Sequence, residues 1–457
     1  MNRVASRALI VLVLVLGLLG GTVFFVVEYA MKSGDWVMTA GSPHVDEDTG
    51  ISLGFVTDRN DRVLVELGEQ RAYNADVLIR RASLHWVGDR SGNIPGSIVS
   101  HYTKELVDYS ALTGTYHYGD TAGQLKMTLD ADVQAAAQKA MGDLVGTVAV
   151  INYETGQIIC SVSNPNYDPD DMPDIENDTT GAYEGVFVNR FTRAKYIPGS
   201  IFKIVTTAAA LECIADIQEQ TFVCQGKYPI GNGEVTCEEV HGTQTLKEAF
   251  CNSCNCAFAQ ITLQLGKENM NRYVEQFGVT DSISFDGLST MKGNYDVSQA
   301  GSESFAWSGI GQYTNLVNPC SFLRFVAAIA NDGMALQPYV VERVSVGDEI
   351  TYQAQTRQDK RIMSASTAQC LNEFMSNNVV TKYGTANFPG LSVCAKSGTG
   401  EVGGDKKPNA MFTGFLTDTG LPLAFIACVE NGGYGAKTCM PVLNEVLQAC
   451  KTAILGG

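Results

Sequence analysis

Residues 8–27 carry no charged side chain, and Thr22 is the most polar member of the run. A helix rises about 1.5 Å per residue, so a run of this length just crosses the ~30 Å hydrocarbon core of a bilayer. The segment reads as one transmembrane helix, and the rest of the chain must fold on one side of the membrane. Arg3 and Arg7 precede it, while Glu28, Lys32 and Asp35 follow. Positive flanks are retained in the cytoplasm. Residues 1–7 are therefore expected to be a cytoplasmic tail. The chain beyond residue 30 is expected to face outside, as the extracellular part of a single-pass cell-membrane protein. A cleaved signal peptide has a shorter apolar region and a small-x-small cleavage site. No good site follows this run, so it is read as a retained anchor.

The chain beyond the anchor has an ordinary globular composition. Its 457 residues are 45% apolar, enough for a large core that needs no metal or disulfide for support. The net charge of −17 lacks the basic footprint that nucleic acid demands. There are 13 cysteines, and an outward-facing chain can oxidise them. Cys224 and Cys237 flank a turn-rich stretch and are the first pair expected to form a disulfide. The alternative is that the cysteines are free and buried, acting as small apolar residues. The run Cys251-Asn252-Ser253-Cys254-Asn255-Cys256 has no second pair at structural-zinc spacing beside it, only the lone His241. It is not read as a metal site, and no cofactor is expected.

The pattern along the chain divides it. A polar connector covers roughly 31–50, and a small mixed stretch reaches residue 125. That stretch holds His85, His101 and His117 (His44 lies in the connector) but no catalytic grouping. From 126 a short strand leads into a helix with Asp130 or Asp132 near its start. Apolar runs at 147–151 and 157–162 around a Gly turn predict a hairpin. Residues 163–186, acidic and rich in proline, predict a loop. A nearly all-apolar helix is expected to start at Ser200, and such a helix belongs at the centre of a domain. Helices are expected at 245–265 (broken at the cysteine cluster), 319–330 and 365–378, and strands at 391–396, 410–416 and 423–429. Strands at both ends with helices between them imply an α+β domain, one sheet assembled from distant segments with helices packed on it.

Three short motifs carry chemistry. In Ser200-Ile201-Phe202-Lys203 the spacing puts an amine beside a hydroxyl on one helical face. A lysine can deprotonate serine only if burial or nearby cations depress its pKa. The helix N-terminus also offers N–H groups to a developing oxyanion. In Ser253-Cys254-Asn255 a hydroxyl that can relay a proton lies two residues from an amide that can orient a substrate amide. In Lys396-Ser397-Gly398-Thr399 a lysine at a strand end adjoins a glycine, which lets a substrate backbone approach the strand edge. Each motif alone fits an ordinary helix start, a polar helix break or a strand terminus. Their conjunction, in this order, is far more specific.

S-x-x-K, S-x-N and K-S-G in series are related to the joint signature of penicillin-binding proteins and class A β-lactamases. The chain resembles a class B penicillin-binding protein, a peptidoglycan D,D-transpeptidase. Asn189-Arg190, the segment 196–203, Thr128-Leu129-Asp130 with Gln134, His241-Gly242, Gly309-Ile310-Gly311-Gln312 and Asp58-Arg59-Asn60 add to that resemblance. Val402, where a small residue is expected, and the cysteine richness depart from it. The resemblance implies an antiparallel sheet flanked by helices over 126–457, the penicillin-binding and serine β-lactamase-like transpeptidase fold. It also implies a membrane-proximal pedestal or dimerisation-like domain over 31–125, after the helix at 8–27. About 95 residues there are too few for a glycosyltransferase domain. The implied catalytic residues are Ser200 as nucleophile, Lys203 as base, Ser253, Asn255 and Lys396. Ser397, Gly398 and Thr399 are implied to bind substrate, and the N–H groups of Ser200 and Thr399 to form the oxyanion hole. The implied ligands are stem peptides ending in D-Ala-D-Ala and β-lactam antibiotics. The implied partner is a polytopic membrane glycan polymerase of the SEDS family. A D,D-carboxypeptidase, a β-lactamase and a non-catalytic penicillin sensor or scaffold are the competing readings. No Glu-x-x-Asn loop suited to rapid deacylation is evident.

Overall fold

The structure, a computed structural model, describes residues 2–37, 54–67, 71–94, 96–107, 109–110, 115–116 and 123–456. His44, His117 and most of the expected connector lie outside the described residues. Asn2–Val37 forms one continuous helix, and its stretch Val4–Met31 is long and apolar enough to cross a membrane.

The central sheet has five antiparallel strands in the order Val393–Gly400, Asn409–Leu416, Leu423–Val429, Gly146–Asn152 and Ile158–Asn164. Side chains alternate between faces of a strand. Along Leu423–Val429, residues Leu423, Phe425, Ala427 and Val429 join the core formed with Met141, Leu443 and Val446. Ala424, Ile426 and Cys428 join the core formed with Ile204, Phe258 and Phe322. Helices cover both faces, which is why the strand sequences read as unbroken apolar runs. Ala131–Met141 and Gly435–Leu455 pack on one side, while Pro319–Ala330 packs on the other and Ala365–Asn378 lies against the Val393–Gly400 strand. The turn Gly199–Phe202 also abuts that strand.

Local chemistry sets the helix starts. Asp130 accepts the N–H groups of Asp132 and Val133, Asn318 those of Cys320 and Ser321, and Ser364 that of Thr367. Such caps satisfy donors that have no intrahelical partner and contribute about 1 kcal/mol each. Two helices differ from expectation. Ser200 lies in a 3₁₀ turn, Gly199–Phe202, and the α-helix begins at Lys203. In that tighter winding, positions i and i+3 eclipse, which aligns Ser200 and Lys203 more closely than an α-helical turn. The helix expected over 245–265 is broken at the cysteine cluster as expected, into Leu246–Cys251 and Asn255–Phe277, but it runs on past 265 with a kink at Gly266.

A second sheet has the strand order Glu349–Gln353, Val341–Val346, Gly123–Met127, Gly54–Thr57, Val63–Leu67 and Ala72–Tyr73. The boundary expected at 125 thus falls inside a strand, and strands from 341–353 complete this second sheet. The Asp58-Arg59-Asn60 motif joins the two parts. The Asp58 carboxylate accepts the N–H groups of Asn60, Arg62 and Ala131, and the Asn60 amide donates to Asp130 at 3.0 Å. It fastens the turn after Gly54–Thr57 to the start of the helix Ala131–Met141.

Candidate active site

Three segments far apart in sequence supply one cleft. The 3₁₀ turn Gly199–Phe202 presents Ser200, the turn between Leu246–Cys251 and Asn255–Phe277 presents Ser253 and Asn255, and the strand Val393–Gly400 presents Lys396 to Thr399. Gly199 has φ +53°, and a Cβ there would lie 2.1 Å from the Thr399 carbonyl oxygen. A Cβ on Gly398 would lie 2.7 Å from the Pro198 carbonyl oxygen. Only glycine lets the nucleophile turn lie directly on the edge strand. Arg190 braces the approach: its guanidinium pairs with Glu430 at 2.8 Å, and Glu430 also accepts the Tyr196 hydroxyl.

Lys203 is fully buried, and its amine donates to Ser200 Oγ at 3.1 Å, Ser253 Oγ at 3.2 Å and Asn255 Oδ1 at 2.7 Å, as well as to the Ser253 carbonyl. Lys396, equally buried, donates to the same Ser253 hydroxyl at 3.1 Å and to the Ser397 carbonyl at 3.0 Å. The faces of Phe258 and Phe250 lie 5.4 and 5.9 Å from the two amines. Burial pushes the Lys203 amine down to about 8, against the pull of nearby cysteines. Burial also lowers Lys396 well below its ordinary value, with repulsion from Lys203 adding to it. Two amines sharing one hydroxyl in a dry site cannot both hold a proton cheaply. Ser200, Ser253, Asn255, Ser397 and Thr399 are half-buried, so the hydroxyls and the amide remain reachable while the amines do not.

Ser253 has φ +52°, a left-handed conformation that costs a non-glycine residue of order 1–3 kcal/mol. Its hydroxyl and carbonyl are both held by Lys203, and Asn255 is anchored from behind by its amide bond to the Thr236 carbonyl at 3.0 Å. The structure thus brings together Ser200, Lys203, Ser253, Asn255 and Lys396, with Ser397, Gly398 and Thr399 on the adjoining edge. Sequence reasoning missed Tyr383. Its buried hydroxyl accepts the Ser397 N–H at 2.8 Å and donates to Ser397 Oγ at 3.0 Å. Burial pushes this phenol up to about 12, so it keeps the proton it donates. No short motif marks Tyr383, which reaches the strand from the π-helical turn Val379–Tyr383.

The expected Cys224–Cys237 disulfide does not form, and all 13 cysteines are free. Instead both sulfurs lie 3.5 Å from His241 Nδ1. The hairpin returns its ends to the imidazole rather than to each other.

A profile of the penicillin binding protein transpeptidase domain matches residues 146–448. The chain is similar to the peptidoglycan D,D-transpeptidase PbpA of Mycolicibacterium smegmatis, at 29% identity over 340 residues covering 68% of each chain. Its fold is similar to the D,D-transpeptidase domain of a peptidoglycan glycosyltransferase from Eggerthella lenta, with TM-score 0.77 and 25% identity over 89% of this chain and 99% of that one. It is also similar to penicillin-binding protein A of M. tuberculosis in a ceftriaxone acyl-enzyme complex, with TM-score 0.74 and 22% identity over 89% and 99% of the two chains. With the serine–lysine pair, the serine–asparagine turn and the lysine-bearing edge strand converging on one cleft, and the domain profile spanning all three, the chain belongs to the penicillin-binding protein transpeptidase family as a class B member.

Proposed function

We infer that the chain cross-links peptidoglycan through an acyl-enzyme on Ser200, taking stem peptides that end in D-Ala-D-Ala. The observation that carries this reading is Lys203 Nζ at 3.1 Å from Ser200 Oγ, buried and without a carboxylate among its hydrogen-bond partners. An incoming peptide carboxylate beside Lys396, Ser397 and Thr399 favours the charged form of Lys396. Repulsion between the amines then leaves Lys203 neutral, and substrate binding itself arms the base. Lys203 takes the Ser200 proton as the oxygen attacks the penultimate D-Ala carbonyl. The N–H groups of Ser200 and Thr399 receive the oxyanion, each donor typically worth about 3 kcal/mol. Ser253, bonded to both amines, passes a proton to the departing D-Ala. Asn255 orients the donor amide. An amine from a neighbouring stem attacks the ester, returns its proton through the same pair and releases Ser200. A β-lactam acylates Ser200 and stays there.

Arg3 and Arg7 place the tail in the cytoplasm and the catalytic domain outside. The anchor and the membrane-proximal sheet form the surface on which a polytopic glycan polymerase of the SEDS family docks. The discriminating experiment supplies a synthetic stem pentapeptide with and without an acceptor stem, followed by mass spectrometry. D-Ala release with a cross-linked dimer supports transpeptidation. Hydrolysed tetrapeptide alone reassigns the chain as a carboxypeptidase.

A further inference from the structure

The sulfurs of Cys224, Cys237 and Cys254 and a ring nitrogen of His241 lie within 4.8 Å of one another. They come from four separate positions: the end of the strand Thr221–Cys224, the residue after Gly233–Thr236, the residue before Gly242–Thr245, and the N-cap of the helix Asn255–Phe277. Zinc–sulfur bonds of about 2.3 Å and zinc–nitrogen bonds of about 2.05 Å fix the edges of a tetrahedron at roughly 3.8 Å between sulfurs and roughly 3.5 Å from sulfur to nitrogen. Here Cys237 Sγ is 3.9 Å from Cys254 Sγ, and His241 Nδ1 is 3.5 Å from both Cys224 and Cys237. These three edges match a ligand shell around one small ion, and the other three lie within 4.8 Å. We propose that Cys224, Cys237, His241 and Cys254 form a structural zinc site that braces the catalytic turn 253–255.

Backbone donors face two of the three sulfurs. The N–H of Ala257 points at Cys254 Sγ, and those of Asn255, Cys256 and Glu239 at Cys237 Sγ. The outer nitrogen of His241 faces the Glu239 carboxylate at 4.0 Å, close enough for a charge attraction but beyond hydrogen-bond distance. Three sulfurs and one nitrogen select zinc over hard cations, and a closed set of four leaves no open position for chemistry. The ion has mechanical work to do. Residues 221–245 form two two-stranded ribbons, an element too small to be stable alone, with Val223 and Val240 turned to solvent. Cys254 lies between Ser253, held at a positive φ, and Asn255, so a bond to its sulfur pins the turn from below. The existence of the metal site is independent of the proposed activity; its consequence for acylation rests on that reading.

The test uses the full chain in detergent, prepared with reductant, loaded with zinc or with cobalt as a spectroscopic stand-in. We expect one zinc per chain, and for cobalt the thiolate charge-transfer band and strong visible bands of a tetrahedral thiolate site. Cys224→Ser and Cys254→Ala lose the zinc and the spectrum, while Cys213→Ser, outside the cluster, keeps both. Removing zinc from wild-type protein slows fluorescent penicillin labelling at least ~10-fold, and returning zinc restores it. Folded wild-type protein with no bound zinc and no cobalt spectrum overturns the site, as does a disulfide among these cysteines in reduced, zinc-exposed protein. Zinc bound and lost as expected with an unchanged labelling rate overturns the brace. The cobalt spectrum of the wild type needs no variant to fold. Stoichiometric zinc on protein that penicillin never labels counts against the acyl-enzyme reading and leaves the metal site standing.

Discussion

Two polar clusters meet at the turn 253–255, and they are built on opposite terms. Above it, two lysines are buried against Phe250 and Phe258, and the hydroxyls and amide they bond to remain reachable from the cleft. The arrangement holds amines in a state that water would not tolerate, which suits proton transfer. Below it, three sulfurs and an imidazole lie within 4.8 Å of one another, a donor set suited to holding an ion rather than to moving a proton. The first cluster is costly to the fold and useful to the reaction; the second stabilises the turn on which the first depends. Removing a member of the upper cluster should therefore spare stability and abolish chemistry. Removing a member of the lower one should weaken both by moderate amounts.

The largest expected effect is Ser200→Ala, which loses covalent penicillin labelling completely while its melting temperature stays within a few degrees of wild type. Lys203→Met comes next. Loss of a general base costs roughly 10²–10⁴ in acylation rate. Relief of a buried amine is offset by the Ser253 carbonyl and the Asn255 amide oxygen losing their donor, so the melting temperature is expected to stay within a few degrees of wild type. A large fall in melting temperature for Lys203→Met would break the comparison, since it would give that lysine a structural role. Tyr383→Phe sharpens it from the strand side. It removes the hydroxyl that holds Ser397, an interaction worth about 1–3 kcal/mol when the partner is left unpaired, so acylation slows ~10-fold with folding intact.

The smallest effect on the cleft comes from the helix Val77–Val87. His85 is buried on the helix Val77–Val87, bonds the Val186 carbonyl and is pulled down to about 4 by burial. A depressed histidine contributes stability that is complete above its unfolded value of about 6.5 and is lost as pH falls from there toward 4, a total of roughly 3 kcal/mol. Denaturant unfolding of wild type should show this loss between about pH 6.5 and 4. His85→Gln should flatten that profile, with penicillin labelling at pH 7.5 unchanged. A labelling defect in that variant would show that the helix Val77–Val87, which packs on Ala131–Met141, transmits strain to the cleft.

The upper cluster was legible in the sequence because each part of it is local. Ser200 and Lys203, Ser253 and Asn255, and Lys396 with Ser397 are each fixed by spacing within one turn or strand. Pro319–Ala330 and Ala365–Asn378 were equally legible, since their apolar spacing and caps at Asn318 and Ser364 are neighbours in sequence. The lower cluster was not. Its four members occupy four turns, at intervals of 13, 4 and 13 residues, and only the pairing of two short ribbons brings them together. The 251–256 run drew attention to itself, yet just one of its cysteines, Cys254, belongs to the group. Tyr383 and the strands at 341–353 were hidden for the same reason. Their partners are tertiary, and nothing within a window of sequence encodes the meeting.

The central claim is that Ser200, armed by Lys203, forms a slowly released acyl-enzyme. Intact-protein mass spectrometry after incubation with penicillin G, followed by peptide mapping over several hours, tests it directly. The account predicts a single adduct of the antibiotic's full mass on the peptide containing Ser200, persistent for hours and absent from Ser200→Ala. An adduct that vanishes within seconds as the drug is consumed would make the chain a β-lactamase. Unmodified, folded protein, or an adduct that survives Ser200→Ala, would contradict the account.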